Sequence, residues 1–416
     1  MIPDTSDRCR RPAFSARPAR SSPSIHDRWR ATLLVLLATA AGMIGWSGHE
    51  LALPVAMIFP ALWALSPSRL VASLVSAGYF LAASRGLPQG VANFYAADLG
   101  PGLLLWLAAS VFFVGVHAVL WAKEPGRWLS GRGVAVRYLV VAALMALPPF
   151  GIAGWAQPLT AAGVLFPEWG WWGLAATAVG LMTMTSRYWS IAAIVLGGFW
   201  LWSAATWTPP KLPAGWKGVD LDLGQSLGRD GSLEHHQELI AAARVAATGS
   251  TRFIVLPESV LGFWTPTVSR HWQEGLRDLD VTVLAGAVVI DAGGYDNVLV
   301  AISADKASVF YRERMPVPVS MWQPWRASGL AIRVARVRTS SPIRLSRSGE
   351  RIAALICYEQ LILWPVLQSM LHSPEIIVAT GNGWWTAGTS IIGIQKASVA
   401  AWASSSACPR SRSFNT

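Results

Sequence analysis

Charged side chains are scarce in this chain. Asp, Glu, Lys and Arg make up 14% of its 416 residues, whereas a soluble domain carries about a quarter. That shortage, with 53% hydrophobic residues, excludes a chain that is soluble along its whole length. Cysteine is nearly absent too: Cys9, Cys357 and Cys408 form neither a metal-ligand spacing nor a disulfide framework. A Cys357–Cys408 pair would consume both thiols of the C-terminal half. The adjacent His235 and His236 face different ways on a helix and have no further ligands near them in sequence, so no metal is expected. The glycines between Gly224 and Gly231 lack the spacing of a dinucleotide loop, and no cofactor is expected. The net charge of +11 comes from arginines in the first thirty positions, in short loops and in the tail. That placement fits membrane orientation, and no direct nucleic-acid binding is expected.

What the first half does contain is apolar runs. Residues 1–30 read as a basic, disordered cytoplasmic tail. Residues 31–207 hold seven apolar spans, centred near Ala38, Phe59, Val75, Phe112, Ala143, Val179 and Val195, each near the ~20 residues that a bilayer core requires. With the N-terminus inside, the inner connections hold Arg69, Lys123, Arg127, Arg132, Arg137 and Arg187, and the outer ones chiefly Arg85. The positive-inside bias therefore predicts a multi-pass domain in contact with inner-membrane lipid, and it delivers everything after Thr208 to the outer face. No charged residue lies mid-span, which leaves a proton or ion pathway without support.

Residues 208–216 form a Pro-rich linker, after which the pattern alternates between strand and helix. "VDLDLGQ", "RFIVLPES", "VTVLAGAVVI", "NVLVAISA", "ASVFYRE", "RIAALICYE" and "EIIVATGN" read as strands. Helices are expected over 232–247, 361–371 and 391–403, the first with a serine N-cap. Residues 217–416 thus form an α/β domain, with reactive residues expected at strand ends. Glu258 and Cys357 each follow a predicted buried strand. A thiol needs a base to become a thiolate, and a carboxylate in an apolar pocket has its pKa raised into a useful range. On the residues alone, Cys357 is either a nucleophile or a small packed core residue.

The segments "IVLPES", "YDNVLVAI", "VFYRERMPVPVSMWQP", "ALICYE" and "TGNGWW" resemble, in order and spacing, the carbon-nitrogen hydrolase (nitrilase) superfamily. Among its branches the domain is most similar to apolipoprotein N-acyltransferase. The basic tail, the seven spans and "RMPVPVSMWQPW" are closer to a plasmid-borne conjugal-transfer branch. The resemblance implies an α-β-β-α sandwich after a polytopic helical membrane domain. It implies acyl transfer or amide hydrolysis through a Cys acyl-enzyme at the periplasmic membrane face, with a lipid-linked or membrane-protein acyl donor and conjugation-apparatus proteins as partners. Glu258 matches the general base, Cys357 the nucleophile and Glu359 a supporting carboxylate. The oxyanion-binding Lys has no match, because Glu313 occupies its position and Met321 that of a second Glu. Arg312 or Arg314 is left as a substitute cation. Downstream, Asn382, Trp384, Trp385 and Gln395 are kept, whereas Ala400 and Ala403 replace an Arg and a Glu. The tail "ACPRSRSFNT" comes before the family's last strands, so the sandwich is expected to be incomplete at its C-terminus. The alternative implied by these departures is a catalytically degenerate periplasmic scaffold that binds a partner.

Overall fold

A computed structural model describes residues 24–122, 130–152, 155–224, 231–291, 294–323, 344–345, 349–406 and 409–415. Most of the expected basic tail, together with Lys123, Arg127 and Cys408, lies outside the described residues. The N-terminal half is helical: α1 (Ile25–Gly45), α2 (Phe59–Ala64), α3 (Arg69–Ala83), α4 (Leu87–Tyr95), α5 (Leu99–Leu120), α6 (Ser130–Ala146), α7 (Ala162–Leu165), α8 (Gly170–Met184) and α9 (Trp189–Ala205). Helix α1 starts inside the segment assigned to the tail, because Ser24 and Asp27 form a capping box that satisfies its first N–H groups.

All seven expected span centres fall in helices, but the helices differ in reach. Helix α5, with 22 residues and a mean hydropathy of 2.3, meets the length and apolarity of a bilayer crossing by itself. Helices α3 and α4 meet it jointly, across a bend of 49°. The stretches Glu50–Ala64, Gly133–Ala146 and Trp189–Ala205 are apolar but shorter. Pro54 lies inside the first of these, which begins as a 3-10 helix, and Pro148 and Pro149 follow the second. Prolines remove backbone donors and end regular helix, which is why apolar runs of span length become shorter rods.

The C-terminal half adds β1 (Trp216–Gly218), α10 (Leu233–Ala246), β2 (Phe253–Val255), α11 (Pro266–Gly275), β3 (Thr282–Asp291), β4 (Gly294–Ile302) and β5 (Ala307–Arg312). It continues through β6 (Arg344–Leu345), β7 (Arg351–Ile356), α12 (Leu363–Met370), β8 (Ile376–Asn382), α13 (Ile391–Ser405) and β9 (Arg410–Asn415). Strands β1 to β5 form one sheet in sequence order and β6 to β9 a second. The sheets pack face to face through Trp216, Phe253, Val255, Leu284, Leu299, Ile352, Ala354, Ile356 and Val378. Helices α10 and α11 cover the outer face of the first sheet, and α12 and α13 that of the second. This is the α-β-β-α sandwich that the resemblance implies.

Two elements differ from expectation. Of "VDLDLGQ", Val219 to Gly224 are described and form no extended strand: the β1–β2 ladder stops at Gly218, and the chain crosses between sheets, with Val219 N–H on Val255 O, Leu221 N–H on Phe414 O and a single bridge from Leu221 to Asn415. Residues 410–415, expected as a tail, form β9 in parallel register with β8 from Ile377↔Arg410 to Asn382↔Asn415. Their alternation of Arg and Ser carries little hydrophobic signal, yet Ser411, Ser413 and Phe414 are fully buried.

The two halves share one core. Tyr358, Leu361, Ile362, Ile394, Ala397 and Ala401 belong to the same buried cluster as Trp46, Phe59, Tyr79 and Phe113 of the helical half. Helices α7 and α13 cross so closely that a Cβ on Gly163 would lie 1.7 Å from Ala401 O. Only glycine permits that approach.

Candidate active site

Strands β2, β4, β5, β7 and β8 converge at one edge of the sandwich, and each delivers a polar group there. After β2, the segment Leu256–Pro257–Glu258 is laid flat across β3 at Gly286. Gly286 N–H donates to Pro257 O at 3.0 Å and Leu261 N–H to Gly286 O at 3.0 Å. A Cβ on Gly286 would sit 2.5 Å from Glu258 Cα, so this approach requires glycine. Strand β7 ends at Ile356, and Cys357 turns the chain sharply with a φ of +44°. Left-handed backbone at a non-glycine residue costs on the order of 1–3 kcal/mol and is retained where the surroundings enforce it. Strand β8 contributes Asn382, and β4 contributes Asn297.

Glu313 arrives by way of an irregularity. On β4, Leu299 faces the other sheet, so Asn297, two residues earlier, faces it too. On β5, Val309 packs outward, but a bulge opposite Leu299 and Val300 shifts the register, and Phe310 and Tyr311 both point inward. Bulges re-aim the residues that follow them. Glu313 thereby shares the inner face with Tyr311 and sits buried beside Asn297, whose carbonyl accepts its N–H at 2.9 Å.

These residues form two clusters. In the first, Asn297 Nδ2 donates to Glu258 Oε1 at 2.7 Å and to Glu313 Oε2 at 3.2 Å. Asn382 N–H donates to Glu258 Oε2 at 3.0 Å. The Cys357 thiol lies beside Glu258, close enough that each shifts the other's ionisation. Gln395 Nε2, from α13, donates to Cys357 O at 3.2 Å and lies 3.8 Å from Sγ. In the second cluster, Glu359 is fully buried and accepts from Tyr311 Oη at 2.8 Å, Ile356 N–H at 3.0 Å and Arg314 N–H at 2.8 Å. Arg314 Nε completes a buried ion pair with it at 3.3 Å, and Arg314 Nη2 donates to Ser369 Oγ at 2.9 Å.

The electrostatics follow from burial and from these partners. Burial pushes the Glu258 carboxyl up to about 7 and the Glu359 charge adds to it, while hydrogen bonds from Cys357, Asn297 and Asn382 act the other way. Burial, then the charges of Glu258 and Glu359, raise Glu313 well above the ordinary carboxylate range. Burial, then Glu258 and Glu313, hold the Cys357 thiol well above its usual value. In the resting site Cys357 is therefore a thiol beside a carboxyl whose raised pKa suits it to proton transfer on demand.

The cluster opens on a cavity of about 330 Å³. Glu258, Asn297, Cys357 and Asn382 form its polar end. Its walls are Val288, Ile290, Tyr295, Val317, Pro318, Met321, Trp384 and Trp385, and its roof is Leu87, Val91, Phe94, Tyr95 and Leu105 of α4 and α5. Asn93 Nδ2 pins α4 to Trp385 O at 2.9 Å and Ala387 O at 3.0 Å, and Phe94 stacks on Trp384.

The structure thus brings Glu258, Cys357, Glu313, Asn382 and Gln395 together. It does not bring Arg314 to the cavity as a substitute cation, because its guanidinium is engaged by Glu359 and Ser369. Arg312 pairs with Asp296 on the opposite face. Glu359, matched by the resemblance to a supporting carboxylate, is the buried post between β5 and β7. Sequence reasoning did not single out Asn297 as a site residue, although it lies in the quoted "YDNVLVAI". It also missed the roof, which has no signal within the α/β half. His236 accepts from Trp272 Nε1 at 3.2 Å and His235 lies 3.0 Å from Val260 O, and neither lines this cavity. Cys357 is free and buried.

A family profile described as carbon-nitrogen hydrolase matches residues 81–404, starting upstream of the residue 217 expected from the motifs. The chain is 63% identical over 421 residues to a conjugal transfer protein TraB of Agrobacterium fabrum, covering 100% of both. It is 56% identical to a probable conjugal transfer protein TraB of Sinorhizobium fredii, covering 94% of this chain and 99% of that one. Among solved structures, a nitrilase-superfamily amidase from Nesterenkonia AN1 matches at 15% identity and a TM-score of 0.36, over 49% of this chain and 78% of the amidase. With a profile match across most of its length and near-full-length relatives above half identity, the chain belongs to the carbon-nitrogen hydrolase family.

Proposed function

We propose that this protein is a membrane-embedded acyl-transfer or amide-hydrolysing enzyme that serves plasmid conjugal transfer, with Cys357 as the acyl-carrying nucleophile and Glu258 as its base. The observation that carries this reading is the pairing of Cys357 with Glu258 at the polar end of a cavity roofed by the helical half. Glu258 takes the thiol proton as Sγ attacks an acyl carbon, then returns it to the departing group. An amine or water repeats the sequence in reverse.

The roof supports a membrane setting. Leu104, Val111 and Val119 of α5 are 71%, 65% and 73% exposed, and Trp172, Ile194, Leu201 and Trp202 continue the apolar surface over α8 and α9. Apolar area of this extent is destabilising in water at about 25 cal/mol per Å² and marks a lipid or protein contact. At 1.5 Å per residue, α5 spans about 33 Å, close to a bilayer core of ~30 Å. With the N-terminus cytoplasmic, α5 begins on the outer side, and Leu105 near that end lines the cavity. The site then faces the periplasmic surface. The lining residues include no Lys or Arg, which favours an uncharged acyl group with an apolar body over an anionic donor.

Glu313 at the family's Lys position supports a second reading, a scaffold for the conjugation apparatus with a disused site. The two are separated by incubating the detergent-purified protein with 4-nitrophenyl butyrate and measuring intact mass, alongside plasmid transfer in cells. A thioester on Cys357 and loss of transfer in Cys357→Ala support the enzyme. No adduct, with full transfer by Cys357→Ala, overturns it in favour of the scaffold.

A further inference from the structure

Two carboxyls act on Cys357, Glu258 at the polar end of the cavity and Glu313 joined to it through the shared Asn297 amide, and their surroundings are unequal. Glu258 receives the Asn297 amide at 2.7 Å and the Asn382 N–H at 3.0 Å. Glu313 receives the Asn297 amide alone at 3.2 Å, and its Oε1 is buried with no hydrogen-bond partner among the described residues. Donors favour the ionised form of the carboxyl they contact. Two coupled carboxyls that share one donor therefore divide their roles: Glu258 is the anion and Glu313 the acid. The titratable groups around Glu313 are Glu258, Cys357 and Glu359, the last tied to Arg314 and Tyr311. Of the neighbouring cations, Arg312 is held by Asp296 and Arg314 by Glu359. A protonated carboxyl has what an ionised one lacks, an O–H donor.

We infer that Glu313, as a neutral carboxylic acid, is the oxyanion donor of this site, its Oε1–H aimed at the acyl oxygen of a substrate bonded to Cys357. The inference rests on the reading of Cys357 as nucleophile. In the acylation step Glu258 accepts the thiol proton, Sγ bonds to the acyl carbon, and the carbonyl π pair moves onto oxygen. Glu313 donates a hydrogen bond to that oxygen and keeps its proton. When the intermediate collapses, the carbonyl re-forms, the bond to the leaving group breaks, and the leaving group departs with the proton held by Glu258. A thioester remains. A buried acid can perform this function because an O–H in a water-excluded pocket stabilises developing charge without bringing a competing anion.

The arrangement predicts an alkaline limit: as pH rises and Glu313 ionises, the donor becomes a repelling charge and acylation falls. The test is the pH profile of nitrophenolate release from 4-nitrophenyl butyrate by the full-length protein, with Cys357 acylation read by intact mass. Glu313→Gln keeps an N–H donor and similar volume. It is expected to stay within about tenfold of wild type and to lose the alkaline decline. Glu313→Ala removes the donor, and its acylation is expected to fall by about 10²–10³. Thermal unfolding of both variants separates a lost donor from a lost fold. Wild-type acylation with Glu313→Ala within threefold of it, or with the alkaline decline unchanged in Glu313→Gln, overturns this inference and leaves the nucleophile standing. No acylation of wild type at all overturns both.

Discussion

Glu359 and Glu313 are both buried carboxyls at the same edge of the sandwich, and their environments could hardly be less alike. Glu359 accepts two backbone N–H groups and a phenol and pairs with Arg314, so its charge is offset where it lies. Glu313 has one amide contact, an unpartnered oxygen and two carboxylates acting on it. A fully paired buried charge holds geometry in place, and an under-paired one stores free energy that chemistry can use. The two lie two strand-ends apart, and Arg314, next in sequence to Glu313, serves Glu359. The cluster without chemistry thus holds the frame in which the reactive cluster is strained.

That contrast can be broken from either side. The largest effect is expected at the proposed nucleophile: Cys357→Ala should abolish thioester formation, read by intact mass, with thermal stability little changed. Glu258→Gln should follow, lowering the acylation rate by about 10²–10⁴, the usual contribution of a general base. In the structural cluster the order of effects should invert. Glu359→Gln leaves Arg314 buried without its counter-charge and should cost about 3–5 kcal/mol of stability by denaturant unfolding, because uncompensated buried charge is expensive.

The pH response sharpens the distinction. Burial raises Glu258 from an ordinary 4.5 to about 7 in the folded protein. The folded state thus holds this proton more tightly than the unfolded state does. The resulting stability is complete below about pH 4.5 and is lost as pH rises through about 7. Activity should move in the opposite sense, rising through the same range as the base ionises. Stability and acylation measured from pH 4 to 8 should therefore cross, and Glu258→Gln should flatten the stability slope. The smallest effect belongs to the roof. Asn93→Ala removes two hydrogen bonds between α4 and the 385–387 segment, worth about 0.5–1.5 kcal/mol each. Acylation should drop severalfold with the Cys357 adduct still formed.

Much of the sandwich was legible in the chain because its buried strands are short runs of Val, Ile, Leu and Ala bounded by turns, a local signal. Glu258 and Cys357 were legible for the same reason, each standing where such a run ends. Arg410–Asn415 was not, because Arg and Ser alternation has no hydrophobic contrast; its strand exists because β8 presents a free edge, Phe414 fits beneath Lys396 of α13, and the Ser413 hydroxyl bonds to Val219 O on the other face. The helical half was legible as helices but not in the lengths of its rods, since prolines such as Pro54, Pro148 and Pro149 interrupt apolar runs that hydropathy alone counts whole.

What the sequence by itself determined is the inventory: a carboxylate and a thiol at strand ends, a membrane-like first half, and a Glu where the family's Lys belongs. Only the tertiary structure decided how these meet. The bulge between β4 and β5 turned Glu313 inward, Glu359 took Arg314 away from the cavity, and α4 and α5 closed a roof that starts more than 160 residues before the first site residue. Hydrophobic pattern is a property of neighbours in the chain, so it specifies elements. Which buried charge finds a partner, and which is left without one, depends on residues far apart in sequence, and packing alone settles it.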